Sequence, residues 1–261
     1  VDSVFLALMA WKALGDRMLA VIADSPSLPR RELAEALEVA RQFGFPVEVI
    51  RTGEFDNPSY LSNPSNRCYF CKQELFKELA PLAAKRGFAV LAYGENATDV
   101  GDYRPGASAA VEAGAKAPLK AVGLTKAEIR EASAQLGLPT ADKPEAPCLS
   151  SRIPYGEAVD PRKLAVIEAA EEHLRSLGCR DVRVRLHETG VGYLGRIELG
   201  AGELVQFVTR SDREEILGKL RSAGLAIVTV DLAGYRRGSL NNGVVMRGEA
   251  VRFLGAKPAS V

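Results

Sequence analysis

A chain of 261 residues, 47% hydrophobic and 26% charged, has room for one large domain or two moderate ones, and for a core that needs no disulfide staples. Its net charge of +1, from 34 basic and 33 acidic residues, argues against a general grip on nucleic acid, although it leaves room for a small basic pocket. No apolar run approaches the roughly 20 residues of a membrane span and no signal-peptide pattern is present; four cysteines in so long a chain point to a reducing compartment, so the expected location is the cytoplasm.

The chain opens directly into VDSVFLALMAWKALG, as though inside a motif, so residues upstream of Val1 are expected. VFLALMAWKAL has helical apolar spacing, and MLAVIADS reads as a short buried parallel strand. RRELAEALEVARQFG is a helix with Leu33, Leu37 and Ala40 on one face and Gly44 as its C-cap. PVEVIRTG is a second strand. CKQELFKELAPLAAKRG is a helix with Leu75, Leu79 and Leu82 inward and Pro81 as a potential kink, and FAVLAYG is a third strand. LTKAEIREASAQLG opens with a Thr125–Glu128 capping box and ends at Gly137. Strands alternating with helices predict an α/β fold, a parallel sheet covered on both faces.

Two irregular segments interrupt this rhythm, 94–119 and 138–156, both rich in loop-forming residues. In an open α/β sheet, loops after the carboxyl ends of strands line the ligand crevice. A second, small α+β domain is expected from residue 158, which sets domains at 1–157 and 158–261. It begins with the helix DPRKLAVIEAAEEHLRSLG. DVRVRLHE follows as a half-buried strand with Arg183, Arg185 and His187 on a basic face. YLGRIEL, REEILGKLRSAG and AIVTVDL complete it as strand, helix and strand.

Four sets of residues carry potential chemistry. Asp2 and Ser3 stand at a helix entrance, where free amides and the helix dipole suit phosphate, Asp2 suits Mg²⁺ and Ser3 a phosphate oxygen; an ordinary N-cap is the plainer alternative. Cys68 and Cys71, three apart at the front of a helix, share a face, and Cys148 lies in the second irregular loop. Three thiolates hold a zinc with one more ligand, or three irons of a 4Fe–4S cluster with one iron open; equally, free cysteines pack as small hydrophobes. Cys179 has no nearby partner and reads as structural. Arg104 and Arg152 lie in Gly/Pro-rich loops, while Arg183, Arg185, Arg236 and Arg237 add basic charge suited to a polyanion or to solvent. Glu171 and Glu198 read as surface charges, and His173 and His187 suggest neither a histidine metal site nor a triad.

Together these stretches resemble a known family. VDS is similar to the end of the Ser-Gly-Gly-x-Asp-Ser loop of PP-loop ATP pyrophosphatases, and CYFCK, DYRPG, EAGA, SSRIPYG, RSLG, VRVR and RIEL fall in the order seen in the LarE family, over essentially the whole chain. The resemblance implies a Rossmann-like PP-loop domain and an ATP-dependent sulfur transferase of nickel-pincer nucleotide synthesis. It would adenylylate a carboxylate of pyridinium-3,5-biscarboxylic acid mononucleotide and replace AMP by sulfur. It implies that Asp2 and Ser3 hold pyrophosphate and Mg²⁺, and that Ala23, Asp24 and Ser25 seat adenosine. Gly94 and Asp99 match the next crevice loop, and Arg104, Arg152, Arg183 and Arg236 match positions near nucleotide or substrate phosphates.

Cys68, Cys71 and Cys148 match the family's three-cysteine kind, which implies a 4Fe–4S cluster carrying an extra sulfide on its open iron. The other kind sacrifices a single cysteine at the position of Cys148. Family members also carry a carboxylate metal site; Glu171 and Glu198 match two of its acids, and no third aligns around ELGAGELVQF. A sulfide donor and a trimeric or hexameric assembly are implied partners. The rival expectations are sacrificial transfer from Cys148, a PP-loop tRNA thiolase, and a zinc-stabilised nucleotide-binding module without chemistry.

Overall fold

The computed structural model describes residues 1–99, 104–200, 202–236, 244–247 and 250–253, the last two segments by their backbone. They form two compact units: residues 1–60 with 66–148, and residues 61–65 with those from 149 onward.

The first unit begins with α1 (Asp2–Leu14), β1 (Ala20–Asp24), α2 (Arg30–Phe43) and β2 (Val47–Arg51). β1 and β2 pair in parallel, with Ala20 opposite Val47 and Asp24 opposite Arg51, so both carboxyl ends reach the same edge. Helix α2 makes the crossover that a parallel pair requires. Gly44 ends it in the left-handed conformation, φ 72°, as its place in the sequence predicts. After a 3₁₀ turn at Glu54–Asp56 come α3 (Pro58–Leu61), α4 (Arg67–Arg86), α5 (Pro105–Glu112), α6 (Pro118–Ala121) and α7 (Lys126–Gln135). α4 runs unbroken through Pro81. The capping box at Thr125 and Glu128 is present in full. Phe5 and Leu8 of α1, Val39 and Ala40 of α2, Leu119 of α6 and Ile129 of α7 meet in one apolar core.

Among the described residues the expected strand FAVLAYG forms no continuous ladder and makes one parallel bridge, Ala92 to Lys116, closed by Lys116 N–H to the Leu91 carbonyl at 2.8 Å and Tyr93 N–H to the Lys116 carbonyl at 2.9 Å. Val90, within this stretch, is 61% exposed, not buried as a core strand's residue would be.

The second unit contains α8 (Pro161–Ser176), β3 (Val182–Thr189), β4 (Gly192–Leu199), α9 (Leu204–Val208), α10 (Arg213–Ser222) and β5 (Leu225–Val230). Asp160 caps α8 by accepting the Arg162 amide at 2.6 Å, ahead of Pro161 in the first turn. β3 and β4 are antiparallel and β4 and β5 parallel. A backbone hairpin pairs β6 (Val244–Arg247) with β7 (Ala250–Phe253). β3 differs from its reading as a half-buried strand: Val182 to Leu186 are buried on both faces. Its arginines leave solvent because carboxylates and an aromatic ring receive them. Cys179 is a buried free thiol. Among the described residues no helix is long and apolar enough to cross a membrane.

Candidate functional site

The first unit gathers most of the sequence-predicted positions. Asp2 lies in the first turn of α1, beside the exposed Ser3. The Lys126 ammonium, at the start of α7, donates to Asp2 Oδ2 at 2.6 Å, while Asp2 Oδ1 is buried with no hydrogen-bond partner. An orphaned carboxylate oxygen at a helix entrance fits a hard cation such as Mg²⁺. Gly94 is needed here because of a close approach. A Cβ on it would lie 2.9 Å from the Ser3 nitrogen and 3.0 Å from the Asp2 carbonyl carbon, both backbone atoms that cannot step aside. The loop after Gly94 is fastened to α7: Ala97 N–H donates to the Leu124 carbonyl at 2.8 Å, and Lys126 N–H to Thr98 Oγ1 at 2.9 Å.

At the carboxyl end of β1, Ala23, Asp24 and Ser25 enter a loop stapled by Arg30. Its guanidinium reaches Asp24 Oδ1 at 2.7 Å and donates to the carbonyls of Ser25 and Leu28 at 2.8 and 2.7 Å. Two further predicted positions are joined directly: Arg104 Nη2 lies 2.5 Å from Asp99 Oδ1, and Asp99 Oδ2 accepts the Asn96 amide at 3.2 Å. The DYR portion between them lies partly outside the described residues, at Asp102 and Tyr103. Nearby, buried Glu95 accepts from Tyr93 at 2.5 Å and Lys120 at 2.9 Å. Burial pushes its carboxyl upward, but the hydroxyl and ammonium outweigh this and hold it below its ordinary value. Glu95, Tyr93 and Lys120 line a cavity of about 510 Å³ beside α5.

The three cysteines all belong to this unit. Cys68 and Cys71 occupy the first turns of α4, and the charge of Cys148 acts on both. Burial, then Cys148, then Glu54 push the Cys71 thiol up to about 12. Cys68 is raised too, by burial first and Cys148 second, with Arg67 and Lys72 opposing. Cys68 keeps exposed surface, yet enough protein surrounds its sulfur for burial to remain the largest influence. Gly106, from the DYRPG stretch, lets α5 approach: a Cβ there would lie 3.2 Å from the Cys68 carbonyl oxygen and 3.0 Å from Lys72 Cγ. The turn at Glu54–Asp56 packs against the same helix, with Asn57 donating to Glu74 at 3.1 Å. Glu54 is 2% exposed and its Oε2 has no hydrogen-bond partner. Three thiols within electrostatic reach of one another suit a thiophilic centre in kind. In this conformation, among the described residues, no three His, Cys, Asp or Glu side chains converge as a metal-holding group.

The second unit holds the remaining predicted residues, and all but Arg236 are buried in a charge cluster. Arg152, 1% exposed, donates to both oxygens of Glu171, at 2.8 and 3.0 Å. Arg175 donates to Glu171 Oε2 at 2.6 Å, and the Val184 amide to Oε1 at 3.0 Å. Arg183 lies over the Tyr235 ring, 4.9 Å from its centroid; burial and then the Arg152 charge lower its pKa. Arg185 binds Glu198 Oε2 at 3.0 and 2.8 Å and the Ser151 carbonyl at 2.7 Å, while Arg196 lies 3.1 Å from Glu198 Oε1. The carboxylates of Glu171 and Glu198 thus hold arginines. Arg236 is exposed, and Arg237 lies outside the described residues.

No protein-family model matches the chain. It is 33% identical over 243 residues, 93% of its length and 86% of the relative's, to the pyridinium-3,5-bisthiocarboxylic acid mononucleotide synthase of Lactiplantibacillus plantarum. The chain belongs to the LarE family. It is also 44% identical over 241 residues to an uncharacterised protein of Synechocystis sp., covering 92% of this chain and 88% of that one. An uncharacterised protein of Methanocaldococcus jannaschii is 25% identical over 236 residues, 90% of this chain and 87% of its own.

In this LarE family member several residues of the candidate sites escaped sequence reasoning. Lys126 is hidden inside an ordinary capping box, and Arg30 and Glu95 are charged residues beside loops like many others. Asn63 carried a signal in the SNPSN stretch, since Asn tolerates the left-handed backbone. It is fully buried at φ 52°, and its amide donates to the carbonyls of Ile153, Pro154 and Glu157 at 3.3, 2.7 and 2.9 Å, bracing the SSRIPYG loop.

Proposed function

We propose that the chain is an ATP-dependent sulfur transferase that converts a carboxylate of pyridinium-3,5-biscarboxylic acid mononucleotide to a thiocarboxylate in nickel-pincer nucleotide synthesis. The observation that carries this reading is the 33% identity to the Lactiplantibacillus synthase across nearly the whole chain. The clustering of Asp2, Ser3, Gly94 and Lys126 in one unit with the three cysteines supports it.

In this reading ATP lies at the carboxyl edge of β1 and β2, with adenosine against Ala23–Ser25. Its phosphates meet the free amides at the start of α1, and Asp2 holds Mg²⁺. In the same reading Arg104 would meet phosphate charge and Arg183 and Arg236 the substrate phosphate, while Arg152 stays committed to Glu171. A substrate carboxylate oxygen attacks the α-phosphorus, the bond to pyrophosphate breaks, and an acyl-adenylate forms. Sulfide then attacks the acyl carbon and the C–O bond to AMP breaks. The chain's work is positioning and charge neutralisation. Cys68, Cys71 and Cys148 would hold a 4Fe–4S cluster, which when bound offers an iron without a protein ligand on which sulfide is carried. The cytoplasm and a trimeric or hexameric assembly belong to the same reading.

The test is pyrophosphate and AMP release with ATP, Mg²⁺, sulfide and the biscarboxylate mononucleotide, with the product followed by mass spectrometry. Substrate-dependent release matched by thiocarboxylate supports the reading. ATP binding without release would favour a non-catalytic module, and thiolation of tRNA in place of the mononucleotide would favour the thiolase.

A further inference from the structure

The Lys126–Asp2 pair places a cation on the carboxylate expected to receive Mg²⁺. Three basic groups send their field to the start of α1: Lys126, Lys143 and Arg130. Two are committed elsewhere. Lys143 pairs with Glu32, 2.8 Å away, and with Glu35, while Arg130 donates to the carbonyls of Ala141 and Lys143. Of these three, Lys126 is the one paired with Asp2 among the described residues, at 2.6 Å from Asp2 Oδ2.

Its backbone is fixed. The Lys126 amide is held by Thr98 Oγ1 at 2.9 Å, and the Thr125–Glu128 box caps the helix behind it. The side chain is not fixed in the same way. It is 28% exposed, and a four-carbon stem lets the ammonium move while the helix stays still. A divalent cation arriving alone at Asp2 would face this ammonium at close range, whereas a polyphosphate arriving with it supplies the anion that Lys126 can turn to.

We propose that Lys126 makes metal entry at Asp2 conditional on the nucleotide: it neutralises Asp2 in the empty site, and the triphosphate draws the ammonium away and frees the carboxylate for Mg²⁺. Lys126 is then a nucleotide-binding residue, and metal and nucleotide bind with positive coupling. This rests on the ATP reading of the site.

The test uses Mn²⁺ in place of Mg²⁺ and α,β-methylene-ATP, which cannot be cleaved at the reacting bond. Binding of each, alone and together, is measured by electron paramagnetic resonance and calorimetry. Wild type should bind Mn²⁺ about tenfold or more tightly with the analogue present. Lys126→Gln should bind Mn²⁺ alone about tenfold more tightly than wild type and the analogue about tenfold more weakly, and so lose the coupling. Lys126→Arg should restore nucleotide affinity, a rescue that a purely structural role would not predict. Asp2→Asn should abolish the coupled Mn²⁺ in every background. Unchanged nucleotide-free Mn²⁺ affinity in Lys126→Gln would overturn the proposal, whatever happens to the analogue. A wild type that binds no analogue at all would instead overturn the ATP reading, and this role with it.

Discussion

Replacing Glu171 by Gln removes one charge and leaves a nearly identical shape. The wild-type carboxylate has no exposed surface and receives Arg152 at 2.8 and 3.0 Å, Arg175 at 2.6 Å and the Val184 amide at 3.0 Å. Gln turns one acceptor into a donor aimed at a guanidinium. Arg152, with 2% of its side chain exposed, has no route to water; Arg175, with 18%, can relax outward. Removing one partner of a buried pair costs about 3–5 kcal/mol, and the relaxation of Arg175 sets this site near the lower figure. At about 2–4 °C per kcal/mol, the calorimetric transition of the second unit should fall by about 6 °C or more. Differential scanning calorimetry reads this directly. A fall of less than about 3 °C would mean that the cluster relaxes as a surface network does, and would refute the reasoning.

Three further outcomes follow from the same geometry. Burial pushes Glu171 up, but Arg152, Arg175 and the Val184 amide outweigh it and hold the folded value below 4.5, so its contribution is whole above that pH and is lost as pH falls through the lower folded value; urea midpoints against pH should show an acid limb that Glu171→Gln flattens, and an unchanged limb would contradict this. Gly94→Ala places a methyl 2.9 Å from the Ser3 nitrogen, and overpacking of about 1–3 kcal/mol should lower Tm and weaken ATP binding together; unchanged values for both would show that the loop yields freely. In metal-free protein near pH 8, a thiol raised to about 12 has on the order of a thousandfold less thiolate than an ordinary cysteine, so Cys71 should resist iodoacetamide, and Cys148→Ala should speed its alkylation; equal rates in the variant and wild type would mean that Cys148 does not act on Cys71.

Much of the fold was legible because local signals agreed with the tertiary outcome. Gly44 and the Thr125–Glu128 box fixed helix ends, and alternation of helix and strand gave the α/β class. FAVLAYG failed because its apolar residues only resemble a buried strand; a single bridge to Lys116 and an exposed Val90 replace the ladder. VRVR was read as a strand with a wet basic face because sequence shows the arginines but not the acids facing them. Glu198 lies directly opposite Arg183 in register and is bonded to Arg185, and Glu171 arrives from α8. Motifs in the sequence single out Asp2, Gly94 and Cys68 as candidates, and the close approach of Gly94 to the Asp2–Ser3 backbone is their structural counterpart. The sequence is silent where a charge finds its partner far along the chain, as Lys126 does in Asp2, 124 positions away.

The central claim is that Cys68, Cys71 and Cys148 carry sulfur together and survive turnover. Its most direct test is multiple-turnover assay of protein purified and reconstituted anaerobically, with iron, acid-labile sulfide and the intact mass of the chain measured before and after. The account predicts about four irons per chain, lost in Cys148→Ala, more than one thiocarboxylate per chain when sulfide is supplied, and Cys148 unchanged in mass. A single thiocarboxylate per chain, with Cys148 stripped of the elements of hydrogen sulfide to leave dehydroalanine, would contradict it and make Cys148 a sacrificial donor.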